Sequence, residues 1–468
     1  MIKSSQLLVS VLVLVMFFSA CTPEPSNLQE TVTVTPKVIK PSVNVTPTAT
    51  KMPEISTDPK ALAGVQITYL HPWSNESGRI MDMLVDEFNQ SNEWGIHVLI
   101  QQPGSTSLAI QQLRSSDNGE VNVAVVPSYE LLYQDQHLSD VLDLNPYAAS
   151  TKVGFSKDER ADFEQVFWNE NLVGGKLYGI PAEASAAVMF HNITWADELG
   201  FSSLPKTSTA FRLQTCAANA TFRKDNDRLN DGLGGWIVSS DADTIFSWLN
   251  IFDGFDLTTP HEKFNNNEVK QGFEYLFSLQ ASSCAWSGRV PEPYDYFANR
   301  QALSYSGTTQ DILPQSAAFT RSGNDVEDEW QVMAYPGGED SDLLTRGLAY
   351  GVLKSDAQKD LASWLFIRWL SQPVNQARML QVTGSLPLGE AVMDYMSSFE
   401  EDYPQWKDAL LLLPHAKSIT AQADLGIIRM VLGDAGAFLF KPEFTAEGIP
   451  DLLYQLDSTI KELTNRNP

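Results

Sequence analysis

The chain is poor in basic residues, histidine and cysteine. Its 468 residues include 32 lysines and arginines against 58 acidic residues, for a net charge of −26, together with six histidines and three cysteines. The acidic excess argues against nucleic acid as a partner, because phosphate backbones bind basic surfaces. It fits a soluble protein that works outside the cell, where solubility is the main constraint.

The sequence also lacks the short motifs that carry catalysis or metal binding. It has no Gly-x-Ser-x-Gly elbow, His-Glu-x-x-His helix, P-loop or Cys-x-x-Cys pair, and its histidines stand far apart. The glycine-rich stretch 231–235 lacks the full dinucleotide fingerprint and is typical of a turn. We therefore expect no enzyme activity, no cofactor and no metal. A paired-carboxylate glycosidase site stays open, because Asp and Glu are abundant.

A long apolar run lies at the N-terminus. Leu7 to Phe18 is twelve residues long, interrupted by Ser10, which is the length of a secretory signal core and short for a membrane span. Ser19-Ala20-Cys21 resembles a bacterial lipobox, with Phe18 where leucine is usual. We expect residues 1–20 to be a lipoprotein signal peptide and Cys21 to carry a lipid anchor to the extracytoplasmic face of the cell membrane. The alternative is an ordinary signal peptide with an incidental cysteine.

The next segment has the composition of a tether. Residues 22–60 contain seven prolines, eight threonines and no aromatic residue. Such a chain cannot bury enough apolar area to offset its ordering entropy. We expect residues 21–63 to be a disordered tether between the lipidated cysteine and a folded body. The alternative is a cleaved or non-functional spacer.

The body from about residue 64 is long enough for two cores, because single cores stop growing near this length. Cys216 and Cys284 remain within it once Cys21 is lipidated. An even pair in an exported protein predicts a disulfide. Closing that loop contributes about 4 kcal/mol in the chain-entropy model.

The start of the body predicts a parallel sheet covered by helices. Strand patterns at 65–70, 96–101 and 121–126 alternate with helix patterns, the first of which places Ile80, Met83, Leu84 and Phe88 on one face. This order is typical of an α/β fold. Ligands of such sheets sit beyond the carboxyl ends of the strands. That rule indicates Trp73 and Ser74 after the first strand, and Ser128 and Tyr129 after the third.

Further motifs carry a family resemblance. A glycine-lysine turn at 174–176 leads into Tyr-Gly-Ile-Pro at 178–181, an apolar run and Phe190-His-Asn. In the expected order come Leu-Asp-Leu at 142–144, Phe-Ala at 297–298 with Gly307, the Pro-Gly strand end at 336–337, and Gly-x-x-Pro at 384–387. Over about residues 67–388 the chain resembles the family 1 extracellular solute-binding proteins of ABC importers, the maltodextrin-binding-protein-like group. It departs from them at 207–211, where a common tryptophan is missing, and beyond about 399, where no motif matches.

The resemblance implies a periplasmic-binding-protein-like fold of two α/β lobes joined by crossing hinge strands. Crossings are expected near 181–185 and 289–294, with a return near 335–337. Lobe 1 would then comprise residues 64–182 plus 292–335, and lobe 2 residues 183–291 plus 336–468. It further implies a monomer that binds a small molecule and delivers it to a membrane permease.

A sugar site combines aromatic rings with carboxylates, amides and arginines. Trp73 is the best candidate, otherwise capping the sheet. Glu183 follows the first crossing, otherwise as a surface carboxylate, and Trp236 is expected to stack on ligand, otherwise to lie in a core. The complete set of expected ligand contacts is Trp73, Ser74, Ser128, Tyr129, Glu183, Trp236, Tyr294, Gly307, Thr308, Arg346 and Tyr350.

Two alternatives to a sugar importer remain open. One is a solute-binding protein for a glycerophosphodiester, a polyamine or a metal chelate, and a site with many carboxylates and few rings would favour a cation. The other is a lipid-anchored glycoside hydrolase or a surface adhesin, and turnover that depends on one carboxylate would favour the hydrolase.

Overall fold

The computed structural model describes residue 55 and residues 57–116, 119–258, 263–290, 292–322 and 328–466. The expected signal peptide, the lipidation site Cys21 and nearly all of the expected tether lie outside these residues. Within them, no helix has both the length and the apolar character needed to cross a bilayer.

The described residues form strands and helices that alternate over the first half of the body and become mainly helical towards the C-terminus. In chain order the strands are β1 (Gln66–Leu70), β2 (His97–Gln101), β3 (Val123–Val126), β4 (Leu172–Val173), β5 (Lys176–Leu177), β6 (Gly179–Asn192), β7 (Trp236–Ile237), β8 (Ala285–Trp286), β9 (Ser304–Thr308), β10 (Trp330–Met333), β11 (Leu343–Val352) and β12 (Ala416–Ser418). The helices are α1 (Asn75–Ser91), α2 (Thr106–Ser115), α3 (Ser128–Leu138), α4 (Asn145–Ala148), α5 (Lys157–Asp162), α6 (Gln165–Glu170), α7 (Ile193–Glu198), α8 (Ser208–Phe222), α9 (Ala242–Asn250), α10 (Asn267–Ala281), α11 (Tyr294–Ala298), α12 (Ile312–Ser322), α13 (Ala357–Leu370), α14 (Pro373–Thr383), α15 (Ser397–Asp402), α16 (Pro404–Leu410), α17 (Leu425–Leu439) and α18 (Ile449–Arg466).

A first group of strands, which we call sheet 1, has the order β2-β1-β3-β11-β6. β1 is parallel to β2 and β3, as the strand–helix–strand pattern predicts. β11 lies antiparallel between β3 and residues 179–186 of β6. All four residues of β3 are buried, which is typical of a strand covered on both faces. Because β11 is antiparallel to both β3 and β6, the first half of β6 runs in the same direction as β1 and β3, and the carboxyl ends of β1 and β3 lie at the sheet edge towards which β6 runs.

A second group, sheet 2, shares β6 with the first. Residues 187–191 of β6 pair with β9, and residues 189–192 pair with β10. β7 lies parallel to β9 and β8. β6 is the long strand that makes this possible, since at 14 residues it exceeds the usual strand length of about five or six. It therefore passes directly from one sheet into the other near residue 186.

Helices complete two cores around these sheets. α13 packs on β1 and α14 packs on α1, on the sheet 1 side. α17 packs on α9 and α18, and α18 on α10, around a second apolar cluster that contains Trp236, Trp248 and Phe273. The face predicted for the last helix, Leu452, Leu453, Leu456 and Ile460, is buried in this cluster. The C-terminal segment therefore completes the core on the sheet 2 side.

The strand pairing differs from the lobe division expected from the sequence at two places. Residues 292–335 were expected beside β1, yet β9 within them pairs with β7 and the second half of β6. Residues 336–468 were expected in the other lobe, yet β11 within them pairs with β3. Both strands take partners more than 60 residues away in sequence, which local pattern does not reveal. We propose that the two lobes follow sheet 1 and sheet 2.

Candidate functional site

A cavity of about 200 Å³ opens where β6 and β11 run side by side. Its polar lining includes the side chains of Glu170, Glu183, Ser185, Gln310, Arg346 and Arg429. Tyr129 supplies an aromatic ring, and Pro127, Leu348, Ile419 and Leu425 supply apolar surface. The lining comes from both sides of the molecule, because β11 belongs to sheet 1 while Arg429 lies on α17, which packs in the second core.

The pairing of β6 with β11 positions three of these groups. Arg346 stands opposite Ser185, and Leu348 opposite Glu183. Residues 183 and 185 lie on the same face of β6, because side chains alternate along a strand. Gly347 keeps the strands close, since a Cβ there would lie 2.8 Å from the carbonyl oxygen of Glu183.

The carboxylate of Glu183 accepts a hydrogen bond from the indole of Trp73. The Nε1 of Trp73 donates to Oε2 of Glu183 at 2.8 Å. Burial raises the pKa of the Glu183 carboxyl, while hydrogen bonds from Trp73 and Gln310 oppose the rise. Trp73 is only 6% exposed and does not line the cavity, so its role in this structure is to orient Glu183.

Three charged residues form what we call the Arg–Asp cluster: Asp243, Arg346 and Arg429. Arg429 donates from Nη1 to Oδ1 of Asp243 at 2.5 Å and from Nη2 to Oδ2 at 2.8 Å. Arg346 donates from Nη1 to the same Oδ2 at 2.9 Å and from Nε to Ser185 Oγ at 3.4 Å. Burial alone would raise the pKa of Asp243, but the charges of Arg429 and Arg346 outweigh it and hold that pKa well below its usual value. Asp243 is therefore ionised at neutral pH.

Glu170 ends α6 beside this cluster. Burial raises the pKa of its carboxyl from 4.5 to about 7, against the opposing effects of the Ser128 hydroxyl and the Arg429 charge. Ser128 Oγ donates to Glu170 Oε1 at 3.4 Å, and the Gly347 N–H also bonds to the carboxyl. Glu170 is therefore a carboxyl that exchanges its proton near neutral pH.

Of the expected contact residues, Tyr129, Glu183 and Arg346 line the cavity. Ser128 and Tyr350 do not line the cavity, but each contacts a residue next to it or in its wall. Ser128 reaches the lining residue Glu170, and the ring of Tyr350 packs edge-on against Trp73, the donor to Glu183, with ring centroids 6.4 Å apart.

Four other expected residues lie off the cavity lining. Ser74 stands at the N-cap position of α1, where its side chain makes no capping hydrogen bond. Tyr294 and Thr308 donate to the carboxylate of Asp311, whose Oδ2 would lie 2.8 Å from a Cβ at Gly307. The neighbouring Gln310 is the residue of this loop that lines the cavity.

Trp236 was expected to stack on a ligand, and the structure places it elsewhere. Its side chain is fully buried, with Phe211, Trp248 and Phe440 packed around it. Its Nε1 donates to Ser306 Oγ at 3.2 Å. With its faces covered and its donor used, the indole is a core residue of the second cluster.

The sequence reasoning missed Glu170, Ser185, Asp243, Gln310 and Arg429. One signal was present, because Arg429 interrupts the apolar run at 425–432 and a charge in such a run is usually paired. Nothing local marks its partner Asp243, which lies 186 residues earlier.

The two remaining cysteines are joined as the sequence predicts. Cys216 on α8 forms a disulfide with Cys284, which lies just before β8, across a sequence separation of 68 residues. The bond ties the two elements on the sheet 2 side. Among the residues that the structure describes, no cluster of three or more metal-binding side chains occurs.

Solved structures share this fold across nearly their whole length. The sugar-binding protein MalE from Xanthomonas citri is 20% identical, with 86% of this chain and 98% of that chain covered and a TM-score of 0.67. The cyclic alpha-maltosyl-1,6-maltose binding protein from Arthrobacter globiformis is 16% identical, with coverage of 85% and 99% and a TM-score of 0.66. UgpB from Mycobacterium tuberculosis, solved in complex with glycerophosphocholine, is 16% identical, with coverage of 85% and 98% and a TM-score of 0.65. The fold is therefore periplasmic-binding-protein-like.

No curated protein matches the chain by sequence. The family model described as bacterial extracellular solute-binding protein does match, over residues 83–408. The matched segment includes β6, β11 and most of the cavity lining, and it covers more than half of the chain. The chain belongs to the bacterial extracellular solute-binding protein family.

Proposed function

We propose that the chain captures a mono- or oligosaccharide outside the cytoplasm and delivers it to an ABC importer, anchored through a lipid on Cys21. The observation that carries the proposal is the cavity between β6, β11 and α17. Its carboxyls, amide and guanidinium groups suit sugar hydroxyls, because each hydroxyl both donates and accepts hydrogen bonds. Tyr129 and Leu425 offer apolar surface to the C–H groups of the ring.

The size of the cavity favours a small ligand. Its volume of about 200 Å³ lies below the range of about 300–1,000 Å³ that is usual for drug-sized ligands. A monosaccharide, or one end unit of a longer sugar, suits this space in the present conformation. Relatives with this fold that bind maltotriose or cyclic oligosaccharides support a sugar as the ligand class.

Binding without chemistry is the mechanism that we propose. A ligand that touches Glu183 on β6 and Arg429 on α17 contacts both sides of the switch in β6, so it stabilises the closed arrangement more than the open one. Only such differential affinity shifts the population. The closed form then docks on a permease as a monomer, and energy for transport is spent elsewhere.

A glycerophosphodiester is the second candidate ligand. Two guanidinium groups line the cavity, and guanidinium is the usual partner of phosphate. UgpB, which shares the fold, was solved with glycerophosphocholine.

A thermal-shift screen of the purified body tests the proposal, because a ligand that binds only the folded state raises the melting temperature. The panel contains mono- and oligosaccharides, glycerophosphocholine and a polyamine. We expect at least one sugar to raise the melting temperature and Glu183→Gln to reduce that rise, with no glycoside turnover. If glycerophosphocholine alone raises the melting temperature, the second candidate ligand replaces sugar.

The lipid anchor has a separate test. Incorporation of labelled palmitate should be lost in Cys21→Ser, and retention of the label in that variant would reject Cys21 as the site of the anchor.

A further inference from the structure

The Arg–Asp cluster contains a carboxylate, that of Asp243, which does not itself line the cavity. Arg346 and Arg429 line the cavity, with side chains 43% and 18% exposed. The Asp243 side chain is 10% exposed, and its two oxygens accept three hydrogen bonds from these arginines. The guanidinium groups therefore face the cavity, while Asp243 accepts hydrogen bonds from both of them on the side away from the cavity.

Two guanidinium groups at a cavity wall would ordinarily bind an anion. Paired parallel N–H donors match the oxygens of phosphate or carboxylate and give the strongest hydrogen bonds in proteins. In this chain the paired donors Nη1 and Nη2 of Arg429 already hold the two oxygens of Asp243. To reach the paired donors of Arg429, an incoming anion would have to displace a carboxylate that is fixed in place on α9, and a tethered competitor acts at high effective concentration.

We propose that Asp243 determines the charge specificity of the cavity: it is a built-in counter-anion that makes the site reject phosphate-bearing ligands and accept neutral polyhydroxy ligands. The inference rests on the proposed function in that the cavity between β6, β11 and α17 binds the solute. The inference identifies Asp243 as the residue that favours a sugar over a glycerophosphodiester. The side chains of Glu170 and Glu183 share the wall with the arginines and further disfavour an anion.

The test is a gain of anion binding in Asp243→Asn. Asparagine keeps the size of the side chain and removes its charge, so both guanidinium groups lose the carboxylate to which they are hydrogen-bonded. Wild type and variant are titrated calorimetrically with glycerol 3-phosphate and inorganic phosphate, and with the sugars of the screen. We expect negligible binding of both phosphates to wild type and at least about tenfold tighter binding to the variant, the scale of one charge-assisted hydrogen bond.

Asp328→Asn is the matched control. Asp328 is similarly buried, and Arg300 donates to its two oxygens from Nε at 2.7 Å and from Nη2 at 2.6 Å. That pair does not line the cavity. Asp328→Asn should lose stability in the same way and gain no affinity for phosphate. The double variant Asp243→Asn with Arg346→Gln should lose the gain, because one of the two freed guanidinium groups is absent.

Several results would overturn the inference. The first is that glycerol 3-phosphate binds wild type as tightly as it binds Asp243→Asn. The second is that a folded Asp243→Asn gains no affinity for phosphate. The third is that this gain in affinity persists when Arg346 is also replaced. If Asp243→Asn does not fold, Asp243→Ser is titrated in its place. The wild-type titration is informative by itself, because tight binding of phosphate to wild type contradicts the inference. Sugar binding by wild type without a gain in the variant rejects the inference alone. A gain in the variant without any sugar binding by wild type rejects the sugar proposal alone.

Discussion

The carboxyl of Glu170 provides a direct measure of the electrostatics of the cavity. Its pKa rises from 4.5 to about 7 because burial disfavours the charged form. Each pH unit corresponds to about 1.4 kcal/mol, so keeping this carboxylate ionised in the folded chain costs roughly 3 kcal/mol at pH 8. The side chain is half-buried, and solvent reduces that figure to about 2 to 3 kcal/mol.

The sign follows from proton uptake. Between pH 4.5 and about 7 the folded chain holds this proton and the unfolded chain releases it. The free energy of unfolding therefore decreases as the pH rises through this interval, and the contribution is constant above it. Below pH 4.5 both states are protonated and the cost disappears.

Replacing Glu170 by Gln removes the charge and keeps an oxygen that accepts from Ser128 and Gly347. With an unfolding entropy of about 2.1 cal/mol/K per residue over some 400 residues, 2 to 3 kcal/mol corresponds to a rise of about 3 °C in melting temperature at pH 8. The rise should shrink steadily towards pH 4.5. Thermal unfolding of wild type and Glu170→Gln, followed by circular dichroism in steps of half a pH unit, measures it.

Glu164→Gln is the matched control. Glu164 precedes α6 and is exposed, so this variant makes the same change of net charge away from the cavity. If the difference in melting temperature for Glu170→Gln is the same at every pH between 5 and 8, or equals that for Glu164→Gln throughout, Glu170 does not hold a proton in the folded chain and the reasoning fails.

Three further predictions concern single contacts. Trp73→Phe keeps a ring and loses the 2.8 Å bond to Glu183, so it should weaken binding of the ligand found in the screen about tenfold by calorimetry, and unchanged affinity would exclude an orienting role. Trp236→Ala leaves a void in the second cluster and should cost about 3 to 5 kcal/mol, seen as a lower urea midpoint, whereas an unchanged midpoint would contradict its burial. Removing the disulfide with Cys216→Ser and Cys284→Ser should lower the free energy of unfolding by about 4 kcal/mol. Reduced wild type should unfold at the same temperature as that double variant. If the oxidised wild type also unfolds at that temperature, the disulfide makes no such contribution.

Local pattern predicted most elements of the first half of the body. The strand expected at 65–70 is β1, and that at 121–126 contains β3. The helix between β1 and β2 was predicted correctly, but its buried face is shifted. Met81 and Val85 are buried, while Met83, expected inside, is 42% exposed. The apolar residues at 80–81, 83–85 and 88 fit more than one choice of buried face, so periodicity alone did not fix the rotation of this helix.

Two of the three cavity-lining residues predicted from the sequence follow a local signal: Tyr129 follows a strand end, and Glu183 follows a motif. Glu183 was found because it comes after the Tyr-Gly-Ile-Pro motif at the first crossing. Arg429 and Asp243 could not be paired from the sequence, because their contact joins α17 to α9 through the fold. Trp236 was misjudged for a related reason, since a tryptophan after a glycine-rich turn is equally consistent with a cleft wall and with a core.

The strand β6 links the cavity to the contact between the two sheets. β6 pairs with β11 in sheet 1 up to residue 186 and with β9 in sheet 2 from residue 187, so Glu183 and Ser185 stand at the switch between the sheets. Arg346, opposite Ser185, crosses that switch to reach Asp243. The Asp243 carboxylate, which pairs with both arginines of the cavity wall, is therefore also part of the contact between the two sides. A variant that frees Arg346 for an anion should thus change the closing of the cleft as well as the choice of ligand, because the same hydrogen bond serves both.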